Sequence, residues 1–195
     1  MKQKLIFFSG KPGSGKDFIA KALEEKLIAN NKTVHVTHFA DRAKFLLSQI
    51  FKIDISYFYD RDKKTKPVSD KILNTPRVMM QNFGTDFAQY FYKNIWVDNL
   101  IEELKNIEAE YILVPDLRFL HELEEFEKLN KYDIVCFDIH GFNIEHSEHI
   151  AEMLSGEPEY TNREYVHSIE NFIIENCKFN YLPIEKLIIN IESKL

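Results

Sequence analysis

The amino-acid sequence predicts an α/β fold, a parallel sheet flanked by helices, in a single domain over residues 1–195. Short apolar runs that suit buried strands alternate with segments of helical period, which is the order that produces parallel sheets. A chain of 195 residues is long enough for one sizeable core and short for two. No internal repeat or low-complexity tract breaks this alternation.

The first elements are a strand at 4–9 and a helix, on which apolar residues recur at helical spacing: Ile19, Ala20, Leu23, Leu27 and Ile28. Thr75 suits the cap of a later helix and Pro76 its first turn. The remaining predictions, in chain order, are a strand at 33–39, helices over 41–51, 76–92 and 95–107, a strand at 111–115, a helix over 118–130, strands at 133–139 and 171–175, and a final helix over 183–194. Two irregular stretches, about 52–75 and about 141–168, are the candidate flap and lid.

Composition restricts the class of protein. A formal charge of −6 disfavours broad nucleic-acid binding, and no run approaches the roughly 20 apolar residues of a membrane span. The amino terminus does not resemble a signal peptide, so a cytoplasmic location is expected. Cys136 and Cys177 form no CxxC pair, and Cys136 lies in an apolar run, which favours a reduced thiol in the core.

A glycine-rich loop separates the first strand from the first helix. Gly10 to Lys16 fits GxxxxGK, in which backbone N–H groups surround phosphate and the lysine reaches the β and γ oxygens. Asp17 takes the place of the usual Ser or Thr, and a carboxylate there is itself a magnesium ligand. The pattern predicts binding of ATP and Mg²⁺ at Gly10, Lys11, Gly13, Ser14, Gly15, Lys16, Asp17 and Phe18.

Two other segments match guanine-nucleotide motifs. Residues 130–133 match NKxD and residues 138–141 match DxxG. GTPases carry DxxG before NKxD, which is the reverse of the order here. The GTPase interpretation is therefore disfavoured.

A kinase for a phosphorylated acceptor needs several cations at its cleft. At 100° per residue, Arg77 shares a helix face with three residues that suit a nucleotide, Gln81, Gly84 and Thr85, and the opposite side carries Met79, Met80, Phe83 and Phe87. Asp116 ends an apolar strand, where open α/β sheets collect ligands, and Arg118 follows it. A structural role for Asp116, capping the next helix, remains the alternative.

Three blocks carry a family resemblance: Gly10-Lys-Pro-Gly-Ser-Gly-Lys-Asp17, then Arg77-Val-Met-Met-Gln-Asn-Phe-Gly-Thr-Asp86 with Trp96, then Val114-Pro-Asp-Leu-Arg118 with His121-Glu122. In these blocks the chain resembles the bacteriophage-type deoxynucleoside monophosphate kinases. The resemblance implies a P-loop kinase core, use of ATP and Mg²⁺, and a deoxynucleotide site at Arg77, Gln81, Gly84, Thr85, Trp96, Asp116, Arg118 and Glu122. Phe18 departs from the threonine that members often carry.

The resulting hypothesis places Lys16 on the β and γ phosphates, Mg²⁺ near Asp17 and Asp116, and Arg77 with Arg118 on the acceptor phosphate. Lys16, Asp116 and Arg118 are the predicted catalytic residues, and Arg42 and Arg163 are candidate clamps from the flap and lid. His146 and His149 have metal-like spacing, but the surrounding glutamates favour a polar lid surface. Another small-molecule kinase, for phosphomevalonate or dephospho-coenzyme A, and a non-kinase nucleotide switch remain the alternatives. The oligomeric state is open, with a homodimer among the options.

Overall fold

The computed structural model describes residues 2–140 and 169–173. The strands are β1 Lys4–Ser9, β2 Val34–Val36, β3 Tyr111–Val114, β4 Asp133–His140 and β5 Ile169–Ile173. The α-helices are α1 Lys16–Ala29, α2 Asp41–Phe51, α3 Ser56–Tyr59, α4 Pro76–Gln81, α5 Ile95–Glu103 and α6 Leu120–Lys128. A π-helix, Asn82–Gln89, continues α4, and 3₁₀ turns occupy Lys63–Thr65 and Leu104–Asn106.

The five described strands form one parallel sheet in the order β2-β3-β1-β4-β5. β1 is the central strand, and five of its six residues are buried. Such a continuous apolar strand is expected where helices cover both faces of a parallel sheet. The parallel sheet predicted from the sequence is confirmed, and it brings the carboxyl ends of β1, β3 and β4 to the same edge.

The core of the sheet is built from β1, β3, β4 and α1. Ile6, Phe8, Leu113 and Phe137 are fully buried and pack with the apolar face of α1. Ile28, predicted on that face, is 53% exposed, whereas its neighbour Leu27 is buried in this core.

The described residues divide into two compact units. The first lies within Met1–His38 and Glu103–Leu195 and contains the sheet. The second is Phe39–Glu102 and has a core of its own, formed by Leu47, Ile53, Phe58 and Met79. The predicted flap, 52–75, belongs to this second unit and contains α3, a 3₁₀ turn and an isolated Ser69 to Ile72 bridge.

Most predicted elements are present, with shifted ends. The strand predicted at 33–39 is limited to Val34–Val36, and the strand predicted at 171–175 begins two residues earlier. Thr75 caps α4 as predicted, its Oγ1 accepting the Val78 N–H at 3.3 Å. The prediction of one regular α-helix over 76–92 is wrong, because the backbone is π-helical over Asn82–Gln89.

Several predictions fall outside the described residues: the lid at 141–168 with Arg163, His146 and His149, the helix at 183–194, and Cys177. Cys136 is a free, fully buried thiol, as expected, and burial raises its pKa. In the part of the chain that is described, no helix has the length and apolar character required to cross a membrane.

Candidate functional site

The glycine loop adopts a conformation that only glycine tolerates well. Gly10, Gly13 and Gly15 have φ values of 130°, 81° and 95°. A Cβ on Gly10 would lie 2.2 Å from the carbonyl oxygen of Ile139 in β4. The loop therefore runs directly against the sheet edge and enters α1 through Gly15, which is its N-cap. This geometry fits a phosphate, because a helix start with inward-turned amides attracts anions.

Lys16, the first residue of α1, folds back into this loop. Its Nζ donates hydrogen bonds to the carbonyl oxygens of Gly10 and Lys11, the latter at 2.9 Å, and lies 3.5 Å from the Ser14 Oγ. Burial of the ammonium, and secondarily Arg118, lower the Lys16 pKa to about 8. Asp17, Asp116 and Asp138 oppose this shift, so the structure brings the predicted Lys16, Asp116 and Arg118 into one electrostatic group.

The carboxylate of Asp17 lies at the start of α1, where the helix dipole favours negative charge. It is 81% exposed, and its Oδ1 lies 3.3 Å from the His38 Nε2. Carboxylate oxygen is the donor that Mg²⁺ prefers, so Asp17 and the half-buried Asp116 fit a magnesium ion held together with phosphate. His38 was missed in the sequence because only the fold brings the end of β2 beside α1.

The turn after β3 carries Asp116 and Arg118. α6 begins at Leu120 with Phe119 as its N-cap, so the capping role considered for Asp116 is not what the structure shows. Glu122 has that role instead: its Oε2 accepts the backbone N–H of Arg118 at 2.8 Å and of Phe119 at 3.0 Å. Glu122 is 3% exposed and holds the turn in place, and its predicted contact with substrate stays a prediction.

Burial raises the pKa of Glu122 to about 7, although its two backbone hydrogen bonds favour the charged form. Because its pKa is raised in the folded protein, protonated Glu122 contributes to the free energy of unfolding, and this contribution is complete below the ordinary pKa of 4.5. The contribution is lost as the pH rises to about 7. The loss amounts to about 3 kcal/mol, at 1.4 kcal/mol for each pKa unit. Above pH 7 the contribution is constant.

We expect Glu122→Gln to remove this dependence, because the amide oxygen still accepts from the turn but the side chain no longer ionises. Urea unfolding between pH 4.5 and 8 measures this pH dependence. The free energy of unfolding of wild type minus that of Glu122→Gln should fall by about 3 kcal/mol between pH 4.5 and pH 7. Glu124→Gln, on the same helix, is the control. Parallel curves for wild type and Glu122→Gln would contradict the expectation.

Asp138 was interpreted in the sequence only as part of a guanine-nucleotide motif. It lies in β4 opposite Ser9, the residue before Gly10, and is 3% exposed. It acts on the Lys16 pKa as a nearby negative charge. The signal that could have revealed it is one carboxylate inside the otherwise apolar run of residues 134–139.

The second unit carries part of the predicted acceptor site, whereas Asp116, Arg118 and Glu122 of that prediction belong to the first unit. Arg77, Gln81 and Thr85 are half-buried, and Gly84 is buried. Of the residues predicted on the side opposite Arg77, Phe87 is 57% exposed, so that side of the helix is not buried along its whole length.

Trp96, predicted either as a base-stacking wall or as core, is 7% exposed. Its indole Nε1 donates to the Gly84 carbonyl oxygen at 2.8 Å, and its ring lies 6.1 Å from that of Phe83. These contacts give Trp96 a structural role on the π-helix. Arg42 is exposed, with its guanidinium 5.5 Å from the centre of the Phe45 ring.

Among residues 2–140 and 169–173, no three His, Cys, Asp or Glu side chains gather as metal ligands. A site of one or two carboxylates is nevertheless normal for Mg²⁺, which takes its other ligands from phosphate and water. Asp17 and Asp116 agree with that pattern.

A phosphate loop with an enclosed lysine, at the carboxyl edge of a parallel sheet, defines the class of P-loop nucleotide-binding proteins. Within this class the chain belongs to the deoxynucleotide monophosphate kinase family, because the sequence model of that family matches residues 32–158, well over half of the chain. The chain is thus a phosphotransferase that phosphorylates nucleoside monophosphates. The matched range begins after the glycine loop, so the loop supports the P-loop class independently of this match.

Solved structures of low sequence identity share the fold. Kti12 from Chaetomium thermophilum, in complex with ADP-AlF3, has 13% identity and a TM-score of 0.51, with 97% of each chain covered. Thymidylate kinase from Ehrlichia chaffeensis has 13% identity and a TM-score of 0.50, with 99% of this chain and 98% of that chain covered. None of the curated proteins compared with this chain matches it.

Proposed function

We propose that this protein transfers the γ-phosphoryl group of ATP to deoxynucleoside 5′-monophosphates. The observation that carries the proposal is the glycine loop between β1 and α1, which encloses the Lys16 ammonium through the Gly10 and Lys11 carbonyl oxygens. The charges of Arg118, Asp17 and Asp116 act on the pKa of this lysine. The family name supports the deoxynucleotide as acceptor.

In this proposal Lys16 exchanges its hydrogen bonds to the Gly10 and Lys11 carbonyls for bonds to the β and γ phosphate oxygens. ATP supplies the phosphoryl group, and Asp17 and Asp116 would hold a Mg²⁺ ion, which would neutralise charge on the phosphates. Arg118 adds a second cation, and its backbone is fixed by Glu122. The other loop residues, Gly13, Ser14, Gly15 and Phe18, complete the ATP site.

The acceptor is assigned to the second unit, where Arg77 binds its phosphate and Gln81, Gly84 and Thr85 line its sugar and base. In the reaction an oxygen of the monophosphate forms the new bond to the γ phosphorus, and the bond from that phosphorus to the β-phosphate oxygen breaks, releasing ADP. No general base is required, because the attacking oxygen is already anionic at neutral pH. Arg42 is assigned to the acceptor as a further clamp.

A coupled assay of ADP release tests the substrate class. The four deoxynucleoside monophosphates are compared with the ribonucleotides, phosphomevalonate and dephospho-coenzyme A. Turnover with a deoxynucleotide is the expected result, whereas turnover only with another metabolite would refute the proposed substrate. A nucleotide switch would bind ATP but show no acceptor-stimulated ADP release.

Replacing Arg77 with alanine should weaken the acceptor site. A charge-assisted contact to phosphate is worth about 2 kcal/mol, so kcat/KM for the acceptor should fall by about 10- to 100-fold, with KM for ATP unchanged. Arg61→Ala, an exposed arginine of the same unit, is the control. Unchanged turnover in Arg77→Ala would remove Arg77 from the site.

Two sequence expectations remain part of the proposal: a single domain with a flap at 52–75 and a lid at 141–168, and a cytoplasmic location. The oligomeric state stays open, with a homodimer among the options.

A further inference from the structure

The π-helix changes which side chains share a face with Arg77. Its hydrogen bonds run from residue i to i+5, so each residue turns through roughly 80°, against 100° in an α-helix. An α-helix continued from Pro76 would place Gln89 about 120° from Arg77. With the π-helix over Asn82–Gln89, residues four apart stay aligned, and Gln89 returns to within roughly 30° of Arg77.

Burial repeats every four residues in three columns of the helix, whereas the fourth column, Met79, Phe83, Phe87 and Phe91, changes from buried to exposed. Four polar residues, each half-buried, form the column Arg77, Gln81, Thr85 and Gln89. The neighbouring column on one side is exposed, comprising Asn82, Asp86 and Tyr90, and the neighbouring column on the other side is buried, comprising Gly84 and Ala88. The polar column therefore lies at the boundary between the packed and the solvent-facing side of the helix, where a ligand can make contact.

The rotation of this helix is fixed. Gly84 packs against Trp96, because a Cβ at Gly84 would lie 3.9 Å from the indole Nε1. The same nitrogen donates a hydrogen bond to the Gly84 carbonyl oxygen at 2.8 Å. Because Trp96 is on α5 and buried, it holds the Gly84 side of the π-helix inward and keeps the polar column in its position.

From this geometry we infer that Gln89 is a specificity-determining residue that hydrogen-bonds the base of the acceptor nucleoside monophosphate. This inference rests on the proposed function, because Arg77 at the other end of the column is taken to bind the acceptor phosphate. Gln89 lies three helical turns beyond Arg77, with four residues in each turn. It therefore contacts the end of the ligand that lies opposite the phosphate, which is the base. Its carboxamide both donates and accepts, as the edges of the bases require.

The test measures binding apart from turnover. Trp96 is the only tryptophan of the chain and contacts the π-helix, so its fluorescence reports acceptor binding without ATP. The dissociation constants of dAMP, dGMP, dCMP and dTMP are compared in wild type, Gln89→Ala, Gln89→Glu and the matched amide control Asn82→Ala, with acceptor KM as a second readout. Thermal melting verifies that each variant is folded.

We expect Gln89→Ala to weaken the binding of the preferred nucleotide by about tenfold relative to that of the other three, as the loss of a neutral hydrogen bond predicts. Gln89→Glu, which loses the donor, should change the order of preference, and Asn82→Ala should match wild type. An equal loss for all four nucleotides, or no loss, would overturn the inference while leaving the proposed function intact. If wild type itself neither binds nor phosphorylates any of the four, the proposed function fails, and the inference fails with it.

Discussion

Lys16→Ala is expected to abolish most acceptor-dependent ADP release while leaving the fold intact. Removing one preorganised donor from a charge-stabilising site costs about 10²- to 10³-fold in kcat. Lys16 is such a donor, because its ammonium is enclosed by the loop through the Gly10 and Lys11 carbonyl oxygens. The measurement is kcat with a saturating deoxynucleotide, together with ADP affinity by equilibrium dialysis.

The control for this prediction is Lys21→Ala, since Lys21 is an exposed lysine of the same helix. It should retain wild-type turnover. Two results would contradict the assignment of Lys16: a loss of less than tenfold in Lys16→Ala, or an equal loss in Lys21→Ala. Thermal melting of both variants separates a loss of chemistry from a loss of folded protein.

The sequence predicts those parts of the fold that local pattern determines. A buried apolar run, three glycines and an amphipathic helix are contiguous in the chain, so β1, the loop and α1 could be located almost to the residue. Thr75 and Pro76 act on their own helix start, which made that boundary predictable as well. In the site, the same locality explains why the sequence could point to Lys16, Asp116 and Arg118, whose catalytic roles stay predictions.

Tertiary contacts decide the rest. The π-helix depends on Trp96, which reaches Gly84 from another helix, and no periodicity in residues 82–89 indicates it. The His38 contact to Asp17 arises only when β2 joins the sheet. Glu122 has the residue type of a substrate ligand, and only its burial and its bonds to the Arg118 and Phe119 amides reveal a capping role.

The glycine loop should be as sensitive to substitution at Gly10 as it is at Lys16. A Cβ there would lie 2.2 Å from the Ile139 carbonyl oxygen and 3.0 Å from the Ser14 Oγ, and its φ of 130° is unfavourable for any other residue. The carbonyl cannot move freely, because Ile139 is buried and lies in β4, opposite Phe172 of β5. We expect Gly10→Ala to lower the free energy of unfolding by about 3 kcal/mol and to weaken ATP binding at least tenfold.

Gly84→Ala is the matched control, because a Cβ at Gly84 meets only the Trp96 indole nitrogen at 3.9 Å, an ordinary contact, and no positive φ is required there. Its stability should equal that of wild type or exceed it by up to about 1 kcal/mol, as replacing a helical glycine with alanine predicts. Urea unfolding of both variants gives the comparison, and ATP affinity is measured on Gly10→Ala under conditions where it is folded. If Gly10→Ala were as stable as Gly84→Ala, the close approach of the loop to β4 would not be a feature of the protein in solution.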